Sequence, residues 1–128
     1  MPVKNIVIID DEKDFTFFIK SLLESVRPYK VTTAADGKDG LRLVRRIKPD
    51  MVLLDITMPG LSGFDVLDKI KSDRKTQSIP VVMLTAHGDD DSRIKAAGLY
   101  NEEYITKPVT REDLLRRIDA VLQRAPRQ

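Results

Sequence analysis

Three aspartates, one threonine and one lysine are the side chains of this sequence best suited to chemistry. Asp10 and Asp11 follow an apolar run at residues 5–9, and Asp55 closes a run at 51–54. Thr85 ends a run at 80–84, and Lys107 follows a short run at 104–106. Each has an ordinary explanation alone. An acid pair caps a helix, an Asp after a strand makes a turn, a threonine packs, and a surface lysine is solvated. Gathered at one edge they read differently. Carboxylates about 4 Å apart repel by about 4 kcal/mol per pair at an effective dielectric near 20. A fold gains nothing from that unless a cation fills the gap. Oxygen donors alone suit a hard divalent ion such as Mg²⁺, which keeps some water and shares phosphate oxygens. With a lysine beside it, a phosphoryl group is the natural third party. One carboxylate then serves as nucleophile, metal and lysine neutralise the transferring group, and the threonine hydroxyl donates to it.

These residues meet only if the elements before them bring their ends together. Residues 5–9 are short, β-branched and bounded by acids, which predicts a buried strand. Phe15, Phe18, Ile19, Leu22, Leu23 and Val26 recur at helical period within 12–26, with Pro28 just beyond. Residues 31–34 read as a second strand, and 37–47 as a helix with Leu41, Val44 and Ile47 inward. Residues 51–55 are apolar at consecutive positions before the closing Asp, as in a parallel strand covered on both faces. A helix to about Ser72 turns Phe64, Leu67 and Ile70 inward, and residues 80–85 make a fourth strand. A short helix is predicted after Asp89-Asp90-Asp91, acids suited to a helix N-terminus. Residues 104–106 make the fifth strand, and 111–123 a last helix with Leu114, Leu115, Ile118, Val121 and Leu122 inward. Strand and helix alternate five times, which predicts an α/β fold: a parallel sheet with helices on both faces. In such sheets ligands sit outside the carboxyl ends of the strands, where the five residues fall.

Composition removes rival chemistries. The chain of 128 residues has no Cys, no Trp and one His, and 22 basic against 20 acidic residues give a net charge of +2. This excludes a disulfide scaffold, a thiol nucleophile and a His-rich metal site. The length suits one domain. No apolar run approaches the roughly 18–20 residues of a membrane span, and Met1-Pro2-Val3-Lys4 does not open a signal peptide. A cytoplasmic domain without direct nucleic-acid or membrane partners is expected. Arg42, Arg45, Arg46 and Lys48 read as a solvated helix face.

Four fragments, in order, resemble the receiver domain of bacterial two-component response regulators: Ile9-Asp10-Asp11-Glu12, then Pro49-Asp50 through Asp55 to Pro59-Gly60-Leu61-Ser62-Gly63, then Val82-Met83-Leu84-Thr85-Ala86, then Tyr104-Ile105-Thr106-Lys107-Pro108. The resemblance covers essentially the whole chain. It implies a flavodoxin-like sheet in order 2-1-3-4-5, with residues 1–124 as the receiver and 125–128 as a tail or the start of a linker. It implies that Asp55 accepts a phosphoryl group from a histidine kinase, with Mg²⁺ as cofactor. Asp11 and Asp55 would bind the metal directly, with the main-chain carbonyl of Thr57, and Asp10 through water or from just behind. Lys107 would bridge phosphoryl oxygens, its bond to Pro108 cis. Thr85 and Tyr104 would form a switch pair, Thr85 moving to the phosphate and Tyr104 swinging inward. The surface altered would be the helix after Thr85, the fifth strand and the last helix. Thr57 and His87 would modulate phosphate lifetime. The chain would catalyse only its own phosphorylation and dephosphorylation. Implied partners are a sensor histidine kinase or histidine phosphotransfer protein, an output protein or effector domain, and a second copy on phosphorylation.

The sequence departs from the family pattern before the fifth strand, where Tyr100 holds a position usually Gly. Gly98 lies two residues early, and Asn101 is the alternative left-handed residue. Three other readings compete. A Mg²⁺-dependent aspartyl-phosphate phosphatase needs a second acid two residues after the nucleophile, where Thr57 stands. A flavin carrier needs a hydroxyl-rich phosphate cradle and flanking aromatics. A docking module without phosphorylation has no use for the full acid, threonine and lysine set.

Overall fold

The computed structural model describes residues 3–56, 58, 60–86 and 103–124. Its elements run β1 (Lys4–Ile9), α1 (Lys13–Val26), β2 (Tyr29–Ala34), α2 (Gly37–Ile47), β3 (Met51–Asp55), α3 (Gly63–Ser72), β4 (Val81–Ala86), β5 (Glu103–Lys107) and α4 (Arg111–Arg124). The five strands form one sheet in order β2-β1-β3-β4-β5, every neighbouring pair parallel. The architecture and strand order are those expected from the sequence. The helix predicted after Asp89-Asp90-Asp91, and the Gly98 to Asn101 stretch, lie outside the described residues.

Consecutive apolar residues in β1, β3 and β4 feed two cores, because alternate side chains leave opposite faces of a strand. On one face Val7, Ile9, Val52, Leu54, Val81 and Met83 pack with Leu41 and Val44 of α2 and Val66, Leu67 and Ile70 of α3. On the other, Ile6, Ile8, Leu53, Val82, Leu84 and Ile105 pack with Ile19, Leu22 and Leu23 of α1 and Leu114, Ile118 and Val121 of α4. Covered on both sides, β3 is buried along its whole length.

The helices begin and end where local chemistry dictates. Asp36 caps α2 by accepting from Asp39 N–H at 2.8 Å. Ser62 and Asp65 form a reciprocal capping box at the start of α3. The left-handed Lys48 (φ 50°) closes α2 ahead of Pro49. One expectation needs correction. Phe18 and Val26 of α1 are 42% and 38% exposed rather than inward. The buried stripe is Thr16, Ile19, Leu22 and Leu23, so the apolar arc read from the sequence is wider than the arc the sheet covers. β2 also starts at Tyr29, two residues ahead of the predicted Val31, because the register pairs Lys4 with Tyr29.

Candidate functional site

Parallel strands place all their carboxyl ends on one edge. β1 exits into Asp10, whose N–H continues the sheet to Ala34 O at 3.0 Å. β3 ends at Asp55, β4 carries Thr85 one residue from its end, and β5 ends at Lys107. Carboxylate oxygens of Asp10, Asp11 and Asp55 lie within 4.8 Å of one another, with Asp10 and Asp55 buried and Asp11 exposed. The structure thus joins the Asp10-Asp11 pair after β1 to Asp55 at the end of β3.

Lys107 is the cation of the cluster. Its Nζ donates to Asp10 Oδ2 at 2.8 Å and Glu12 Oε1 at 2.7 Å. It also lies 4.3 Å from the centre of the Phe15 ring, within cation–π range. Burial pulls the ammonium pKa down, but hydrogen bonds to Asp10 and Glu12 and the charges of Asp10 and Asp55 outweigh it. The pKa is held above the ordinary lysine value. The Asp10 side chain is fully covered. A buried carboxylate persists only when paired and hydrogen-bonded. Lys107 and the Glu12 N–H, which donates to Asp10 Oδ1 at 2.9 Å, meet that need. The Lys107–Pro108 bond is cis, as expected.

Thr85 is buried, and its hydroxyl donates to Thr106 Oγ1 at 3.2 Å across the β4–β5 pair. Tyr104, opposite Met83 in that pair, packs against the core under α2 and α3, and its hydroxyl is buried. Thr57 and His87, the two lifetime positions, lie outside the described residues.

Three contributors were not assigned roles from sequence. Glu12 holds Lys107, Phe15 flanks it, and Gly63 lets α3 start against the exit of β3. The Gly63 N–H donates to Ile56 O at 2.9 Å. A Cβ there would fall on the Asp55 carbonyl oxygen and 2.6 Å from Ile56 Cα. Only glycine permits that approach. The signal for Glu12 was its place directly after two acids, and the signal for Gly63 was its place just ahead of the predicted helix ending at about Ser72.

Known proteins share this pattern. A family model described as the response regulator receiver domain matches residues 6–119. Protein PilH of Pseudomonas aeruginosa is 38% identical over 117 residues, covering 91% of this chain and 96% of PilH. The phosphate regulon transcriptional regulatory protein PhoB of the same organism is 36% identical over 121 residues, covering 94% of this chain but 52% of PhoB. The chain thus spans nearly all of one relative and about half of the other. A response regulator receiver domain from Clostridium thermocellum superposes with a TM-score of 0.84 at 39% identity, covering 94% of this chain and 95% of that one.

Proposed function

The chain belongs to the response regulator receiver domain family, and from that premise we propose that Asp55 accepts a phosphoryl group from a phosphohistidine, with Mg²⁺ held at the acidic edge. The observation that carries this reading is the convergence of Asp10, Asp11 and Asp55 within 4.8 Å beside Lys107, 2.8 Å from Asp10. The donors are all oxygen, and their number and spread suit a hard divalent ion that keeps some of its water. Asp11 and Asp55 would hold it directly and Asp10 through water. When bound, Mg²⁺ supplies positive charge against the oxygens of the transferring group. Thr57, whose carbonyl is the further ligand proposed, lies outside the described residues.

The protein side of the reaction follows from the positions of the other groups. A carboxylate oxygen of Asp55 forms a bond to phosphorus as the bond from phosphorus to the imidazole nitrogen breaks. The electron pair leaves with that nitrogen, and a proton carried on the other ring nitrogen of the phosphohistidine makes the leaving group neutral imidazole. Lys107 exchanges Glu12 for a phosphoryl oxygen, a light exchange because Glu12 is 62% exposed on its side chain and exposed ion pairs contribute little. Thr85 exchanges Thr106 for another phosphoryl oxygen, and Tyr104 settles further into the space this opens. A population shift from 1:99 to 99:1 takes about 5.5 kcal/mol of differential stabilisation. Phosphate adds close to two negative charges, and an ammonium and a hydroxyl that engage them in one state only supply a shift of that order. The readout is then β5 and α4, together with the stretch after Thr85. Partners on this reading are a sensor kinase or histidine phosphotransfer protein, and an output protein, effector domain or second copy. Turnover is limited to the chain's own phosphorylation and dephosphorylation.

The test is incubation with acetyl phosphate and Mg²⁺ followed by intact mass. One phosphoryl mass is expected, absent with EDTA and absent in Asp55→Asn. A gain that survives Asp55→Asn overturns the assignment.

A further inference from the structure

A strong charge asymmetry lies at the end opposite Asp55. Residues 42–48 carry Arg42, Arg45, Arg46 and Lys48, and residues 69–75 carry Lys69, Lys71, Arg74 and Lys75. Eight of the 22 basic side chains thus fall in these two segments, against one of the 20 acidic ones, Asp73. The fold brings the segments together. α2 and α3 pack side by side, and both run antiparallel to the strands, so their last turns meet at the amino-terminal end of the sheet.

Between them lies an open groove of about 520 Å³, lined by Arg45, Lys69, Ser72, Asp73, Arg74 and Lys75. Arg45 pairs with Asp73 at 3.8 Å. Among the described residues, Arg46, Lys69, Arg74 and Lys75 have no acidic partner within ion-pair distance. Bases in a last turn offset the helix dipole, which accounts for Arg45, Arg46, Lys69 and Lys71. It does not account for Arg74 and Lys75, which stand beyond the end of α3.

We propose that this groove docks an acidic segment, rich in Asp and Glu, of a partner protein. Charge complementarity selects an anion, since four of the six lining residues are basic and one, Asp73, is acidic. A nucleic acid fits less well. The groove lining offers no aromatic side chain for base stacking. Because the groove and Asp55 sit at opposite ends of the sheet, the partner can stay bound in both phosphorylation states. The groove would hold the chain in place while the other end switches.

The test uses a fluorescein-labelled peptide of alternating Asp and Glu, read by anisotropy in 0.15 M salt, where charges are screened beyond about 8 Å. A lysine-rich peptide and a labelled DNA duplex run in parallel. Expected results are saturable binding of the acidic peptide alone and amide NMR shifts confined to residues 42–48 and 69–75. At least a tenfold loss is expected in Arg46→Ala/Arg74→Ala/Lys75→Ala, with affinity unchanged by beryllofluoride. Lys30→Ala/Lys38→Ala/Arg111→Ala removes the same charge elsewhere and should bind as the parent does. Absence of peptide binding, shifts mapping elsewhere, equal losses in both triple variants, or tighter binding of the duplex would each overturn the proposal. A near-ultraviolet spectrum and melting temperature matching the parent establish that a triple variant is folded.

Discussion

Lys107 balances the acidic edge, and its removal should expose how much repulsion it offsets. Lys107→Met leaves the covered Asp10 carboxylate leaning on the Glu12 N–H, which donates to it at 2.9 Å. Stripping one member from a buried pair costs roughly 3–5 kcal/mol. Urea unfolding without metal should place Lys107→Met near the low end, since Lys107 keeps some solvent contact. Asp11→Asn should act in the opposite direction, gaining roughly 1 kcal/mol by relieving repulsion that solvent already weakens. A stability loss in Asp11→Asn would contradict the repulsive edge. The raised Lys107 pKa fixes a pH dependence. A raised base binds its proton more tightly when folded, so its contribution is full below about pH 10.4 and fades as pH rises through the folded value. The alkaline decline in melting temperature should therefore be shallower in Lys107→Met. At this scale the sequence disclosed the residues where an apolar run breaks into a charge, namely Asp10, Asp11, Asp55 and Lys107. It did not disclose the roles of Glu12 and Phe15. Those depend on where a four-carbon lysine stem crosses from β5 to the exit of β1, which no local pattern encodes.

At the scale of elements, Gly63 fixes how α3 meets the exit of β3, and a side-chain pair on α1 guards the β2 edge. Gly63→Ala puts a methyl against the backbone of β3, and that backbone cannot turn aside as a side chain does. The expected loss is about 1–3 kcal/mol, with slower phosphoryl uptake because the exit of β3 carries Asp55. Gly60 has φ +79° and open space around its Cβ position. Gly60→Ala should therefore cost only the left-handed backbone penalty of about 1–2 kcal/mol and leave uptake closer to the parent. Comparing chemical denaturation and acetyl phosphate kinetics of the two variants separates crowding from strain. At the β2 edge, Glu24 Oε2 accepts from Val31 N–H at 2.9 Å, and Lys20 Nζ donates to Val31 O at 2.6 Å. One i,i+4 pair on α1 thus occupies both backbone groups of an edge residue, a guard against pairing with another chain. The Val31 N–H bond, then the Lys20 contact, hold the Glu24 pKa below its usual value. Its contribution is therefore present above about pH 4.3 and lost as pH falls through the folded value. Glu24→Gln should lower the melting temperature modestly at pH 7 and converge with the parent as pH falls, flattening that acid limb. The elements themselves were legible from period and punctuation. The rotation of α1 was not, because Phe18 and Val26 extend the apolar arc beyond what the sheet covers, and only packing decides which part is buried.

For the whole molecule the net charge of +2 conceals two opposed ends. Asp10, Asp11, Glu12 and Asp55 gather where the strands exit, and the bases of α2 and α3 gather where strands enter. The alternation of strand and helix was readable because a parallel sheet buried on both faces leaves continuous apolar runs, whereas the strand order came from the family resemblance. The polarity follows from that reading, since every strand exit shares one edge and both helix ends share the other. What the sequence left open was proximity within each end. Residues 42–48 looked like a solvated face until the fold set residues 69–75 beside them. The acidic end makes a prediction that separates specific binding from screening. If the three carboxylates hold a divalent ion, Mg²⁺ at about a hundredfold over its dissociation constant should stabilise the chain by about 2.7 kcal/mol. That corresponds to a rise of several degrees in Tm for a domain of this size. NaCl at the same ionic strength weakens repulsion between exposed charges but supplies no ligand field for carboxylate oxygens, so its effect should be far smaller. Asp55→Asn and Asp11→Asn should each lose most of the Mg²⁺ increment while keeping the NaCl response. Equal rises with the two salts, or an increment intact in both variants, would mean that the edge is merely screened.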